Sequence, residues 1–130
     1  MARQTVLVTG ASRGIGRATA LRCLEDGLEV IGLSTTARND LPWPHYGVDL
    51  ANSSSKAKLQ EIVTKHRPCR FVGNAGILIS GRLEDVDSAD FDRLMRINLF
   101  SLMETAHLLL PIWKDEKFGR IVLISSRAAL

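Results

Sequence analysis

The stretch Thr9-Gly10-Ala11-Ser12-Arg13-Gly14-Ile15-Gly16 decides the fold class, because it joins two segments with different hydrophobic patterns. The run before it, Thr5 to Thr9, is apolar and rich in β-branched residues, which is typical of a strand buried on both faces of a parallel sheet. After it, apolar residues recur at helical spacing from Ile15 to Leu24, and Gly27 stands where a helix commonly takes a left-handed cap. The pattern predicts a strand, a tight glycine loop and a helix.

The same alternation continues along the rest of the sequence. We predict further strands at residues 29–34, 46–48, 69–72 and 119–124. Helices are predicted at residues 56–66, capped by the serines at 53–55, and at residues 90–113, where Pro111 ends or kinks the helix. Alternating strands and helices imply an α/β fold with a parallel sheet and right-handed crossovers.

The position of the three glycines favours a phosphate-binding loop. At a strand-to-helix junction glycine permits a sharp turn, lets the backbone approach a pyrophosphate and lets helix and strand pack closely, while the helix N-terminus offers unpaired N–H groups to the anion. Any strand-to-helix turn can use glycine, so the loop alone favours dinucleotide binding without requiring it. A kinase-type phosphate loop is disfavoured, since that motif needs Gly-Lys followed by Ser or Thr and here Gly16 precedes Arg17-Ala18.

Composition and charge exclude several other classes. The chain has 130 residues, 45% of them hydrophobic and 24% charged, as in one ordinary globular domain. The net charge is +3, but basic and acidic residues are interleaved, so we expect no nucleic-acid partner. No apolar run is long enough for a membrane span and no signal peptide is recognisable, which predicts a cytoplasmic protein without a membrane segment. The spacing of Cys23 and Cys69 predicts structural thiols and no metal site.

The motif Thr-Gly-x-x-x-Gly-x-Gly at residues 9–16 closely resembles the cofactor loop of the short-chain dehydrogenase/reductase family. Within the family, Leu7 to Ala18 is similar to the β-ketoacyl carrier-protein reductases. Other family landmarks follow in order: Asp49-Leu50 resembles the adenine contact, Asn74-Ala75-Gly76 the Asn-Asn-Ala-Gly motif, Asn98 the helical catalytic Asn, and Ile124-Ser125-Ser126 the segment with the catalytic serine. Gly73 departs from the pattern, because the family usually has Asn there to brace the sheet.

The resemblance implies a doubly wound, Rossmann-like parallel sheet in the order 3-2-1-4-5, incomplete at the C-terminus, that binds NADP. NADP is favoured over NAD because no carboxylate occurs from Leu33 to Arg38, while Arg13, assisted by Thr35 and Arg38, resembles the guanidinium that contacts the 2′-phosphate. The residues expected to bind the cofactor are Gly10, Ser12, Arg13, Gly14, Ile15, Gly16, Thr35, Asp49, Leu50, Asn74, Ala75 and Gly76.

The expected reaction is hydride transfer between NADPH and a carbonyl or alcohol substrate. The resemblance implies that Ser126 donates a hydrogen bond to the substrate oxygen and that Asn98 holds a water in a proton relay. Taken singly, Ser126 is an ordinary strand-end serine and Asn98 an ordinary helix residue that bonds to nearby backbone. The family's Tyr-x-x-x-Lys pair is expected beyond the serine, and the sequence stops at Leu130 without it.

Two alternatives therefore stay open: a short-chain oxidoreductase, or a truncated NADP-binding module that does not catalyse. A nucleotide-sugar epimerase fits poorly because its glycine spacing differs. We also expect a homodimer or homotetramer, since the family packs the helix before its fifth strand against a neighbouring subunit and Leu99 to Leu110 is apolar beyond one core-facing stripe.

Overall fold

The computed structural model describes residues 4–126. Five parallel strands form one sheet in the order β3-β2-β1-β4-β5, which confirms the predicted class and strand order. The strands are β1 (Thr5–Thr9), β2 (Glu29–Ser34), β3 (His45–Gly47), β4 (Arg70–Gly73) and β5 (Arg120–Leu123). The helices are α1 (Gly14–Glu25), α2 (Ser55–His66), α3 (Ser88–Met95) and α4 (Ser101–Glu116), with a single 3₁₀ turn at Leu83–Asp85.

Alternate residues of β1 build cores on the two faces of the sheet. Val6 and Val8 pack on the side of α1, whereas Leu7 packs on the side of α2 and α4. All three are at most 1% exposed, which explains why the strand has a continuous apolar run and not the alternating pattern of a half-exposed strand. Helices on both faces make the sheet doubly wound.

The helix predicted from residue 90 begins earlier and continues past its proline. Asp87 caps it, since its carboxylate accepts a hydrogen bond from Ala89 N at 3.1 Å. Pro111 was predicted to end or kink the helix; it lies inside α4, so the first alternative was wrong. The turn after the proline is held by tertiary contacts, because Trp113 is 8% exposed and its Nε1 donates to Pro68 O at 2.8 Å.

Between α3 and α4 the helical run widens into a π-helical segment, Arg96–Phe100. Such segments are rare and often occur at functional sites. This one contains Asn98, a residue that the sequence singled out.

The N-terminus of α2 also differs from the prediction. Ser54 stands at the cap position, but its hydroxyl donates to Asn52 Oδ1 at 2.9 Å and caps no helical N–H. Asn52 Oδ1 also accepts from Ser54 N at 3.0 Å, so this local turn takes the serine hydroxyl away from the helix N-terminus.

Neither cysteine forms a disulfide, and both lie in the described part of the chain. Cys69 is buried, and burial raises the pKa of the Cys23 thiol. A raised pKa disfavours the reactive thiolate, which agrees with a structural role.

Candidate functional site

A cleft of about 680 Å³ opens at the carboxyl ends of β1, β2 and β4. In doubly wound sheets this edge is where ligands bind, at the point where the strand order reverses about β1. Of the residues predicted to bind a cofactor, all except Gly16 line the cleft: Gly10, Ser12, Arg13, Gly14, Ile15, Thr35, Asp49, Leu50, Asn74, Ala75 and Gly76.

The three glycines of the loop have different physical roles. Gly10 and Gly14 have φ values of +66° and +59°, a conformation that L-residues with a side chain rarely adopt. Gly16 is needed for packing instead, because a Cβ there would lie 2.1 Å from Gly10 O. Gly16 therefore shapes the loop from behind and is not part of the cleft wall.

The N-terminus of α1 faces the cleft with its backbone donors uncapped. Arg13 at the cap position makes no side-chain hydrogen bond to the helix, and the first turn contains no acidic residue. Unpaired N–H groups and the positive end of the helix dipole together attract an anion. The helix begins at Gly14, where a Cβ would meet no atom within 4 Å apart from its chain neighbours and the helix backbone, so the space beside this Cα is open.

A hydrogen-bond network ties the glycine loop to the end of β4. Thr9 Oγ1 accepts from the backbone N–H groups of Asn74 and Ala75, both at 3.0 Å. In return, Asn74 Nδ2 donates to Thr9 O and Gly10 O, both at 3.2 Å. The side chain of Asn74 thus braces the loop, while its backbone and that of its neighbours form the cleft wall.

The structure also shows what replaces the family's asparagine at Gly73. A Cβ at this glycine would lie 2.5 Å from Leu102 Cδ2 and 2.8 Å from Leu123 Cδ2. Two leucine side chains therefore occupy the space next to Gly73, and apolar packing stands where an amide was expected.

The predicted catalytic residues lie outside the cleft lining. Asn98 Oδ1 accepts from Ile77 N at 2.8 Å and its Nδ2 donates to Ile77 O at 2.9 Å, so the amide fixes the loop that follows β4. Ser126 follows β5 by three residues and is exposed. Tyr46, the only tyrosine, is hydrogen-bonded to His66 Nε2 at 2.7 Å and also lies outside the lining.

The charged groups at the far end of the cleft are mostly basic. Arg38 donates from Nη1 to Ser12 O at 3.1 Å and from Nε to Asp40 Oδ1 at 2.8 Å. The hydrogen bond from Arg38 lowers the pKa of Asp40, so this carboxylate is ionised and paired. No sequence pattern pointed to Asp40, and it is not part of the cleft lining.

Several lining residues were missed by sequence reasoning: Leu33, Ser34, Thr36, Val48, Ile77, Arg93 and Ile97. Those at strand ends could have been found, since residues that follow a parallel strand point to the ligand edge of the sheet. Arg93 had no such signal, because its position depends on how α3 returns across the sheet.

The model of the short-chain dehydrogenase family matches residues 4–130. The chain belongs to the short-chain dehydrogenase family. It is 34% identical to a 3-oxoacyl-[acyl-carrier-protein] reductase of Buchnera aphidicola, over 95% of this chain and 55% of that protein. It is 31% identical to a 3-ketodihydrosphingosine reductase of Bacteroides thetaiotaomicron, over 97% of this chain and 48% of that protein. The chain spans about half the length of the curated relatives it matches.

Solved structures of short-chain dehydrogenases share the fold. The aldohexose dehydrogenase of Thermoplasma acidophilum is similar with a TM-score of 0.85 and 32% identity, over 95% of this chain and 49% of that one. A metagenomic short-chain oxidoreductase in complex with NADP gives a TM-score of 0.88 and 27% identity, over 98% of this chain and 63% of that one. A 4-hydroxyisoleucine dehydrogenase complexed with NADH gives a TM-score of 0.86 and 26% identity, over 95% of this chain and 56% of that one. Of these structural neighbours, one holds NADP and another holds NADH.

Residues 4–126 contain neither a metal site nor a membrane span. No cluster of three or more His, Cys, Asp or Glu side chains is arranged in this range to hold a metal ion. None of the helices in the same range combines the length and the apolar character that crossing a bilayer needs.

Proposed function

We propose that the protein is an NADP-dependent short-chain dehydrogenase/reductase that interconverts a carbonyl compound and an alcohol. The observation that supports NADP is the charge of the cleft: Arg13, Arg38 and Arg93 line it, and Asp49 is the one acidic residue among the lining residues. An acidic residue directly after β2 would repel the 2′-phosphate. The first carboxylate after β2 in the sequence, Asp40, is paired with Arg38, so the excess of positive charge in the lining rests on Arg13 and Arg93.

In this proposal, different residues of the cleft bind different parts of the cofactor. The uncapped N–H groups at the start of α1 bind the pyrophosphate, and the side chains of Arg13, Thr35 and Arg38 bind the 2′-phosphate. Asp49 uses one carboxylate oxygen to accept from Ala51 N at 3.0 Å, and the other accepts from the adenine amino group. Ala75 and Gly76, which line the cleft, would contact the cofactor through their backbone.

A bound NADPH supplies the hydride for reduction of the carbonyl. In this proposal Ser126 donates a hydrogen bond to the carbonyl oxygen and stabilises the alkoxide that develops there. The amide of Asn98 holds the loop at Ile77 in place through two hydrogen bonds. In this proposal that loop borders the proton relay. The alkoxide receives its proton from a general acid, which the family provides as a tyrosine beside a lysine.

The test is calorimetric titration of NADPH and NADH against the protein and its Arg13→Ala variant. A charge-assisted hydrogen bond is worth about 1.5–3 kcal/mol, so NADPH binding should weaken about 10- to 100-fold while NADH binding stays nearly the same. Arg22→Ala is the matched control, since Arg22 lies on the same helix and pairs with Asp26 away from the cleft. Equal losses for both cofactors would contradict a role at the 2′-phosphate.

A further inference from the structure

Trp43 and His45 form a buried polar pair behind the end of β2. They are 5% and 8% exposed, although β3 is the outermost strand of the sheet. Gly32 of β2 makes room for them: a Cβ there would lie 2.5 Å from Trp43 Nε1 and 2.6 Å from His45 Nδ1. Neither aromatic residue lines the cleft.

The hydrogen bonds of this pair run in one direction, towards the cleft. Trp43 Nε1 can only donate, and it lies 3.3 Å from His45 Nδ1, which must therefore accept. The ring proton is then on Nε2, which donates to Ser34 Oγ at 2.6 Å. The hydroxyl of Ser34 in turn donates to Thr36 O at 2.8 Å. Tryptophan thus selects the histidine tautomer, and the histidine orients the serine hydroxyl.

The charge state of His45 agrees with this arrangement. Burial lowers the pKa of its ring, Arg38 lowers it further, and Asp40 opposes both. A protonated ring would place an N–H at Nδ1 against the N–H of Trp43, so the neutral ring is the one that fits.

The chain of bonds ends in the segment that holds the cofactor's phosphate under the proposed function. Ser34, Thr35, Thr36 and Arg38 all line the cleft. The segment is held from the other side as well, since Gly47 of β3 approaches so closely that a Cβ would lie 2.6 Å from Ala37 N. The Ser34 hydroxyl, which His45 orients, holds this segment by its hydrogen bond to the carbonyl of Thr36. We call this chain of hydrogen bonds from His45 the brace.

We propose that His45, held by Trp43, is a positioning residue that sets the 2′-phosphate subsite through Ser34 and so determines the preference for NADP over NAD. This inference rests on the proposed function and extends it to residues that do not touch the cofactor. Because Ser34 lines the cleft, replacing it can also change cofactor binding by direct contact. Variants of His45 and Trp43, which do not line the cleft, are therefore the ones that test the proposal.

The experiment compares the protein with Ser34→Ala, His45→Leu and His45→Gln. For each, the Kd values of NADPH and NADH are measured by titration, and amide hydrogen exchange of residues 35–38 is measured without cofactor. Ser34→Ala and His45→Leu should each lower the ratio of the NADH Kd to the NADPH Kd about 5- to 10-fold, the equivalent of one hydrogen bond, and should speed exchange in the segment. The double variant should lose no more than either single one, because both changes break the same chain. His45→Gln keeps an N–H donor for Ser34 and should restore the ratio.

Ser54→Ala is the control, since it deletes a serine hydroxyl that bonds only to Asn52 in a remote turn. If His45→Leu does not fold, Trp43→Phe, which removes the donor to Nδ1, takes its place. A normal ratio in the folded variants, or equal loss of both cofactors, overturns the inference. If the unaltered protein binds neither cofactor the proposed function fails, and the exchange rates still decide whether the brace exists.

Discussion

Replacing Asn74 tests whether its amide protons hold the glycine loop. Asn74→Ala removes the two bonds from Nδ2 to Thr9 O and Gly10 O, both at 3.2 Å. A protein hydrogen bond contributes about 0.5–1.5 kcal/mol net, so the loss of two should lower the free energy of unfolding by about 1–3 kcal/mol. The same change should weaken NADPH binding, because Gly10 lines the cleft.

Asn74→Asp makes the prediction sharper. Aspartate has nearly the same shape, but it would place a carboxylate oxygen against the carbonyl oxygens of Thr9 and Gly10 and remove the donor that both share. We therefore expect the order of stability to be Asn, then Ala, then Asp, measured by urea unfolding with equal m-values. The exposed Asn39 offers a matched pair, Asn39→Ala and Asn39→Asp, each expected within about 0.5 kcal/mol of the unaltered protein. The reasoning is refuted if Asn74→Asp is as stable as the unaltered protein or more stable than Asn74→Ala.

Two further outcomes are expected. Burial lowers the pKa of His45 in the folded protein below its ordinary value of 6.5, so the unfolded chain binds a proton at His45 at a higher pH than the folded chain does. The neutral His45 ring therefore contributes fully to stability above pH 6.5. This contribution is lost as the pH falls towards the folded-state pKa, by at most about 1.4 kcal/mol per pH unit. His45→Gln should remove this part of the slope in urea unfolding between pH 5 and 7, and an unchanged slope would argue against a buried neutral ring. The exposed stripe of Leu99, Met103 and Leu110 predicts a dimer or tetramer by light scattering, with Met103→Lys shifting the mass towards the monomer, and a monomeric unaltered protein at assay concentration would count against the interface.

The glycine loop was readable from sequence because its requirements are local. A positive φ at Gly10 and Gly14 follows from the turn between β1 and α1, and only glycine adopts it without strain. Burial of β1 on both faces likewise follows from an unbroken apolar run. Since carboxyl ends of parallel strands meet at one edge, the approximate place of the cleft followed too.

The roles of individual polar side chains were not readable in the same way. Asn74 was expected beside a cofactor and does line the cleft, but the sequence did not predict that its amide spans 65 residues of sequence to reach Thr9. That Asn98 holds a water stays a prediction, and the sequence did not predict the two hydrogen bonds between its amide and the backbone of Ile77. A side chain with several donors and acceptors can satisfy them locally or at a distance, and only the packed chain selects among the partners.

By itself, then, the sequence determined the order of strands and helices along the chain and the glycine turn after the first strand, since these depend on backbone sterics and hydrophobic periodicity over short stretches. The family followed from the resemblance of its ordered motifs. The tertiary structure decided between the two predicted effects of Pro111: it does not end α4, and Trp113 in the following turn is anchored to Pro68. It also decided that Trp43 and His45 stand behind Ser34, because β3 pairs with β2 in the register that sets Gly32 opposite His45. Strand register brings together residues that no local pattern connects, and the hydrogen bonds that shape this cleft depend on it.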